Sequence, residues 1–218
     1  APLLQALGQT FDGLGMFEQA LAATKQAYEL RKENLGENHD DTLHTKVRLG
    51  IAYLQAGDSG TAFELLDESL AQRRAKYGNE DPSTLDLINT LAVAYRVAGD
   101  PNKALPLFKE ALERRRAVLG AEHLLTLDSL RILAHFYFEI SEPAKTIPLL
   151  KEILAIKRKK FGENNLDTLA VLNELAGSYA RTGDLAKTKE TLRESIQLRR
   201  EHFPDHWETY DTIAYFGA

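Results

Sequence analysis

No cysteine occurs in the 218 residues, which removes disulfides, thiolate metal ligands and thiol catalysis. No apolar run reaches the roughly 18 residues that cross a bilayer, and the start has no signal-like pattern, so no membrane partner is expected. Neither sign of charge dominates: 27 Lys and Arg stand against 32 Asp and Glu, a formal charge of -5. Such a balance supplies no basic footprint for nucleic acid. Also missing are a glycine-rich phosphate loop, a nucleophile elbow and paired carboxylates in a recognisable cleft, so neither catalysis nor a cofactor is expected. What remains is 44% hydrophobic and 27% charged, a composition able to bury a sizeable core. The chain opens with Ala1 rather than methionine, as expected of a piece of a longer or processed protein.

One stretch, LGENHDDTL at 35–43, gathers Glu37, Asn38, His39, Asp40 and Asp41 and invites a metal reading. Segments of the same shape return as YGNEDPSTL, LGAEHLLTL and FGENNLDTL. Gly36, Gly78, Gly120 and Gly162 fall 42 residues apart, and Thr42, Thr84, Thr126 and Thr168 keep the same phase. The acids do not: Asp40 becomes Pro82, Leu124 and Leu166. A cation site would need its ligands in register, so the segment reads as a seam. Its glycine ends one helix, and the polar residue (His39, Asp81, His123, Asn165) or the threonine caps the next.

Within each 42-residue unit, Leu91, Ala92 and Tyr95 with Ile88 mark one helical face, repeated as Leu130, Leu133, Ala134 and Tyr137 and again as Leu172, Leu175, Ala176 and Tyr179. Gly15, Gly57, Gly99 and Gly183 follow as helix stops, with Ser141 in the remaining unit. A second, longer helix restarts at Ala62, Leu66 and Leu70, or at Ala104, Phe108 and Leu112. A fixed period of this length marks a solenoid, whose units bury their apolar faces only by stacking.

The order Leu, Gly/Ala, Tyr, Gly, Ala, Leu/Phe resembles the tetratricopeptide repeat, and the 42-residue unit with its LGxxHPxTL-like loop resembles the kinesin light chain type. Pro82, His39 and His123 match that loop. The resemblance implies an all-α, right-handed solenoid of antiparallel helix pairs in one domain over 1–218. The repeats fall near 1–41, 42–83, 84–125, 126–167 and 168–208, with a terminal helix near 206–216. In that last helix Trp207, Tyr210, Ile213, Tyr215 and Phe216 crowd together. They fit a cap on the preceding pair, further repeats in a parent protein, or weak end-to-end self-association of an otherwise monomeric chain.

The resemblance also implies a function: a non-catalytic scaffold, expected in the cytoplasm, that grips a peptide or partner protein in the concave groove lined by the first helices. Asn89 and Asn173 match the asparagine that such repeats place in the groove, where its amide can pair with a peptide backbone. Arg96, Arg131, His135 and Arg181 around Phe138 suit a ligand with an acidic group beside an apolar or aromatic anchor. Alternatives are a regulatory or docking arm of a larger signalling enzyme, such as a bacterial serine/threonine kinase, and a self-assembling structural solenoid. Basic residues near the ends of the second helices (Arg31 and Lys32, Arg73 and Arg74, 114–116, 157–160, Arg199 and Arg200) read first as favourable partners of helix C-termini and second as a docking ridge for an acidic partner. His202 and His206 have metal-like spacing, but Pro204 between them breaks the helix it would require.

Overall fold

The computed structural model describes residues 1–216, apart from the side chains of Glu208, Asp211, Ile213, Tyr215 and Phe216. Of the apolar cluster expected in the last helix, Ile213, Tyr215 and Phe216 therefore lie outside the described residues. The described residues form eleven α-helices and no strand: α1 (Pro2–Gly13), α2 (Phe17–Leu35), α3 (Asp40–Gln55), α4 (Ser59–Tyr77), α5 (Pro82–Val97), α6 (Pro101–Leu119), α7 (Leu124–Glu139), α8 (Pro143–Phe161), α9 (Leu166–Arg181), α10 (Leu185–His202) and α11 (Trp207–Phe216). They fall into two compact units, Ala1–Val118 and Leu119–Ala218.

In each unit the stripes at i, i+3, i+4 and i+7 are the core. Ile88, Leu91, Ala92 and Tyr95 on α5 are buried in the first unit, as are Leu66, Leu70 and Phe108, and the Tyr95 ring stacks on Phe63 of α4 with centroids 4.2 Å apart. Leu130, Leu133, Ala134, Ile153, Leu172, Leu175 and Ala176 are buried in the second. Each large aliphatic side chain so buried contributes about 1.5–3 kcal/mol, so the helices are held chiefly by packing. Where α3 meets α4 the approach is close: a Cβ on Gly50 would stand 2.8 Å from Leu66 Cγ and 3.2 Å from the Ala62 carbonyl oxygen.

The seam between pairs is built as the sequence predicts, with one choice resolved. The caps of α3, α5, α7 and α9 are His39, Asp81, His123 and Asn165, whose side chains accept from backbone N–H groups two or three residues on. The in-phase threonines are not caps. All four are fully buried, and their hydroxyls have no hydrogen-bond partner among the described residues. Gly78 closes α4 at φ 87° and ψ 173°, a region open essentially to glycine alone, and Gly36 and Gly162 repeat that geometry. At the tighter stop after α7, Ser141 adopts the left-handed conformation at φ 61° that glycine takes elsewhere.

Candidate functional site

Side chains opposite the buried stripe of the first helices are the candidate binding surface, and each unit presents its own set. In the first unit, Asn89 and Arg96 are half-buried on α5. The Asn89 Oδ1 is buried with no hydrogen-bond partner among the described residues. On α3 and α1 the Gln55 amide donates to Asp12 Oδ1 at 2.6 Å. Beside that bond a cavity of about 190 Å³ is lined by Gly8, Asp12, Thr24, Arg48, Ile51 and Gln55 among others.

The second unit brings together five of the residues singled out in the sequence. Arg131 on α7 forms an ion pair with Glu174 on α9, and His135 Nε2 lies 3.3 Å from the other oxygen of the same carboxylate. Arg181 stacks over the Phe138 ring, 4.1 Å from its centroid, and donates Nη1 to the Phe138 carbonyl at 2.9 Å. Arg181 stands 43 residues after Phe138, as Gln55 does after Asp12, so the same register laces α7 to α9 and α1 to α3. The adjoining cavity, about 480 Å³, is lined by His135, Phe138, Thr146, Leu150, Asn173, Gly177 and others, including Glu174.

Glu174 was not legible as a site residue, although its separation of 43 from Arg131 repeats the spacing of the other cross-helix pairs. Burial opposes its ionisation, but the hydrogen bond from His135 and the charge and hydrogen bond of Arg131 outweigh that, holding the carboxyl below its usual range. The hydrogen bond to Glu174 in turn raises the His135 pKa against the effect of burial. Arg131 and His135 thus already face a carboxylate of the chain itself. Asn173 is likewise engaged: it donates to Thr212 Oγ1 at 3.1 Å and accepts from Ser195 Oγ at 2.7 Å.

Three of the side chains at 37–41 that suggested a cation site have individual protein partners. Glu37 pairs with Lys32 at 3.5 Å, His39 caps α3, and Asp40 meets both Lys76 and Tyr77. Among the described residues no three His, Asp or Glu side chains converge as a metal site, and no helix is long and apolar enough to cross a membrane. The basic ridge is partly neutralised: Arg74 makes two 2.8 Å contacts to the Glu110 carboxylate, and Arg158 pairs with Glu194.

The sequence matches the tetratricopeptide repeat family over residues 1–75, 41–117, 83–159 and 125–201. No curated protein matches it. Among solved structures, the chain is similar to a Podosopora anserina protein of nearly identical TPR-like repeats described as a kinesin light chain, at 24% identity and a TM-score of 0.80, covering 92% of this chain and 95% of that one. It is also similar to BtubC (BKLC) from P. vanneervenii, at 18% identity and 0.74, covering 93% and 81%. MamA is more distant, at 16% identity and 0.56, covering 100% and 95%. These likenesses establish the fold as the α-solenoid of tetratricopeptide helix pairs.

Proposed function

Because the chain belongs to the tetratricopeptide repeat family, with 42-residue repeats like those of its kinesin light chain-like neighbours, we propose that it binds a peptide or partner protein on the first-helix face, without catalysis of its own and in the cytoplasm. The observation that carries this reading is the cavity of about 480 Å³ in the second unit. Phe138, Leu150 and Gly177 give it apolar walls, while His135, Asn173 and Glu174 set polar groups along it. Such a site takes an apolar or aromatic side chain and leaves polar contacts for the flanking backbone. Since Arg131 and His135 already face Glu174, the anchor here is the apolar part of the partner. An acidic part is better served elsewhere.

Gly177 provides the test. Nothing lies within 4 Å of a Cβ placed on it, so Gly177→Leu fills the cavity without an initial clash and favours the helix. Peptides selected from a random library on the wild-type chain are expected to lose about tenfold or more in affinity for this variant, roughly 1.4 kcal/mol. They should bind normally to Gln197→Ala, an exposed change on α10. Equal affinity for wild type and Gly177→Leu would place the binding surface elsewhere.

A second reading, end-to-end self-association, rests on Trp207 and Tyr210, 65% and 60% exposed on the last helix. Light scattering across a concentration series decides it, and a strict monomer at high concentration removes it.

A further inference from the structure

One cation recurs at 42-residue intervals near the end of each second helix: Arg31, Arg73, Arg115, Lys157 and Arg199. The four arginines are at most 9% exposed, and a buried charge without a partner is costly. In the first unit two of them have partners. Arg31 donates Nη1 to Gln5 Oε1 at 2.7 Å and to Thr45 Oγ1, and Arg115 pairs with Asp86 at 2.6 Å.

Arg73 occupies the same register, but the acceptors are gone. One period after Gln5 and Thr45 stand Val47 and Leu87, and one period before Asp86 stands His44. Its Nε is buried with no hydrogen-bond partner, and no ion pair forms to it, among the described residues. Asp81 feels its charge, but that carboxylate is already occupied in capping α5 through Ser83 and Thr84. The surroundings are positive as well. Burial, then Arg48, Arg73 and Arg31, hold the His44 imidazole below its ordinary pKa, and Asp41 opposes them. His44 itself is exposed on α3, and it holds toward Arg73 the register position that Asp86 holds toward Arg115.

We propose that Arg73 and His44 form a binding site for one oxyanion, the carboxylate of an acidic side chain on a partner protein, which takes for Arg73 the place that Asp86 takes for Arg115. A guanidinium offers a planar fork matched to two carboxylate oxygens, and neutral His44 adds an N–H donor. This site is separate from the second-unit cavity and does not rest on it.

Sodium sulfate serves as the first probe, at constant ionic strength against sodium chloride, with thermal melting of the chain as readout. Sulfate stabilises proteins generally by exclusion, so the comparison is between variants. Wild type should gain more in Tm than Arg73→Met, which replaces the charge with an apolar side chain, and more than His44→Asp. The latter variant supplies the missing acid from within and should itself melt higher in chloride. The His44 pKa, followed by NMR, should rise when sulfate is added. A Glu-rich peptide that binds wild type but not His44→Asp, while its Gln-rich counterpart binds neither, assigns the ligand to an acidic side chain. Sulfate dependence without peptide binding assigns it to a free oxyanion and removes the partner carboxylate. An equal sulfate response in all three proteins, with no rise in the His44 pKa, overturns the site.

Discussion

The Ser195 hydroxyl donates to the Asn173 amide oxygen at 2.7 Å, tying α10 to α9 through the amide that the family resemblance assigns to the groove. Its counterpart two periods earlier, Asn89, leaves its amide oxygen without a partner among the described residues. The two asparagines should therefore respond differently to truncation. Asn173→Ala removes two hydrogen bonds and strands the buried Ser195 hydroxyl, so a loss of about 1–3 kcal/mol is expected. Asn89→Ala deletes an unpaired polar atom and should be close to neutral. Urea unfolding of both variants checks this, and equal losses would contradict it.

Stability of the second unit should depend on pH through Glu174 and His135. Glu174 is held below its ordinary value of 4.5 in the fold, so its contribution is complete above that pH and is lost as the pH falls through the lowered value. His135 is raised above 6.5, so its contribution is complete below 6.5 and is lost as the pH rises through the raised value. The difference in Tm between wild type and Glu174→Gln should peak between pH 4.5 and 6.5. Above that range it should settle to the residual effect of Arg131, and below it the difference should vanish. A flat difference from pH 4 to 8 would show that the carboxylate does not couple to the histidine.

Backbone conformation supplies a pair of opposite outcomes. No heavy atom lies within 4 Å of a Cβ at Gly78, yet its φ of 87° with ψ 173° is strained for any L side chain. Gly78→Ala should cost about 1–3 kcal/mol for that reason alone. Ser141 bears a milder form of the same strain at φ 61°. Ser141→Gly should therefore stabilise the chain by up to about 1 kcal/mol, after the entropy that glycine adds to the unfolded state. Denaturant midpoints read both, and a destabilised Ser141→Gly would show that the serine side chain contributes more than its backbone strain costs.

The helices, their order and their stops are legible in the sequence because they are set locally. A helix needs its apolar residues at i, i+3, i+4 and i+7, a cap residue with an accepting side chain and a terminating residue able to take positive φ, all within a few positions. Ser141 illustrates this: its place in the period marked it as a stop although it is not glycine, and its φ agrees. The threonine of the seam shows the limit, since its constant phase suggested a cap whereas His39, Asp81, His123 and Asn165 do that work.

The sequence by itself determined the 42-residue period, the helix pairs and the side chains that share the first-helix face. Only the tertiary structure decided which of those side chains are already engaged. Arg131 and His135 meet Glu174 across 43 and 39 residues, Asn173 meets Ser195 across 22, and Arg73 meets no partner among the described residues where Arg115 meets Asp86. Periodicity places a residue on a face. Whether its charge or hydrogen bond is satisfied depends on what the neighbouring helix presents within about 3 Å, and that distance exists only once the helices have stacked.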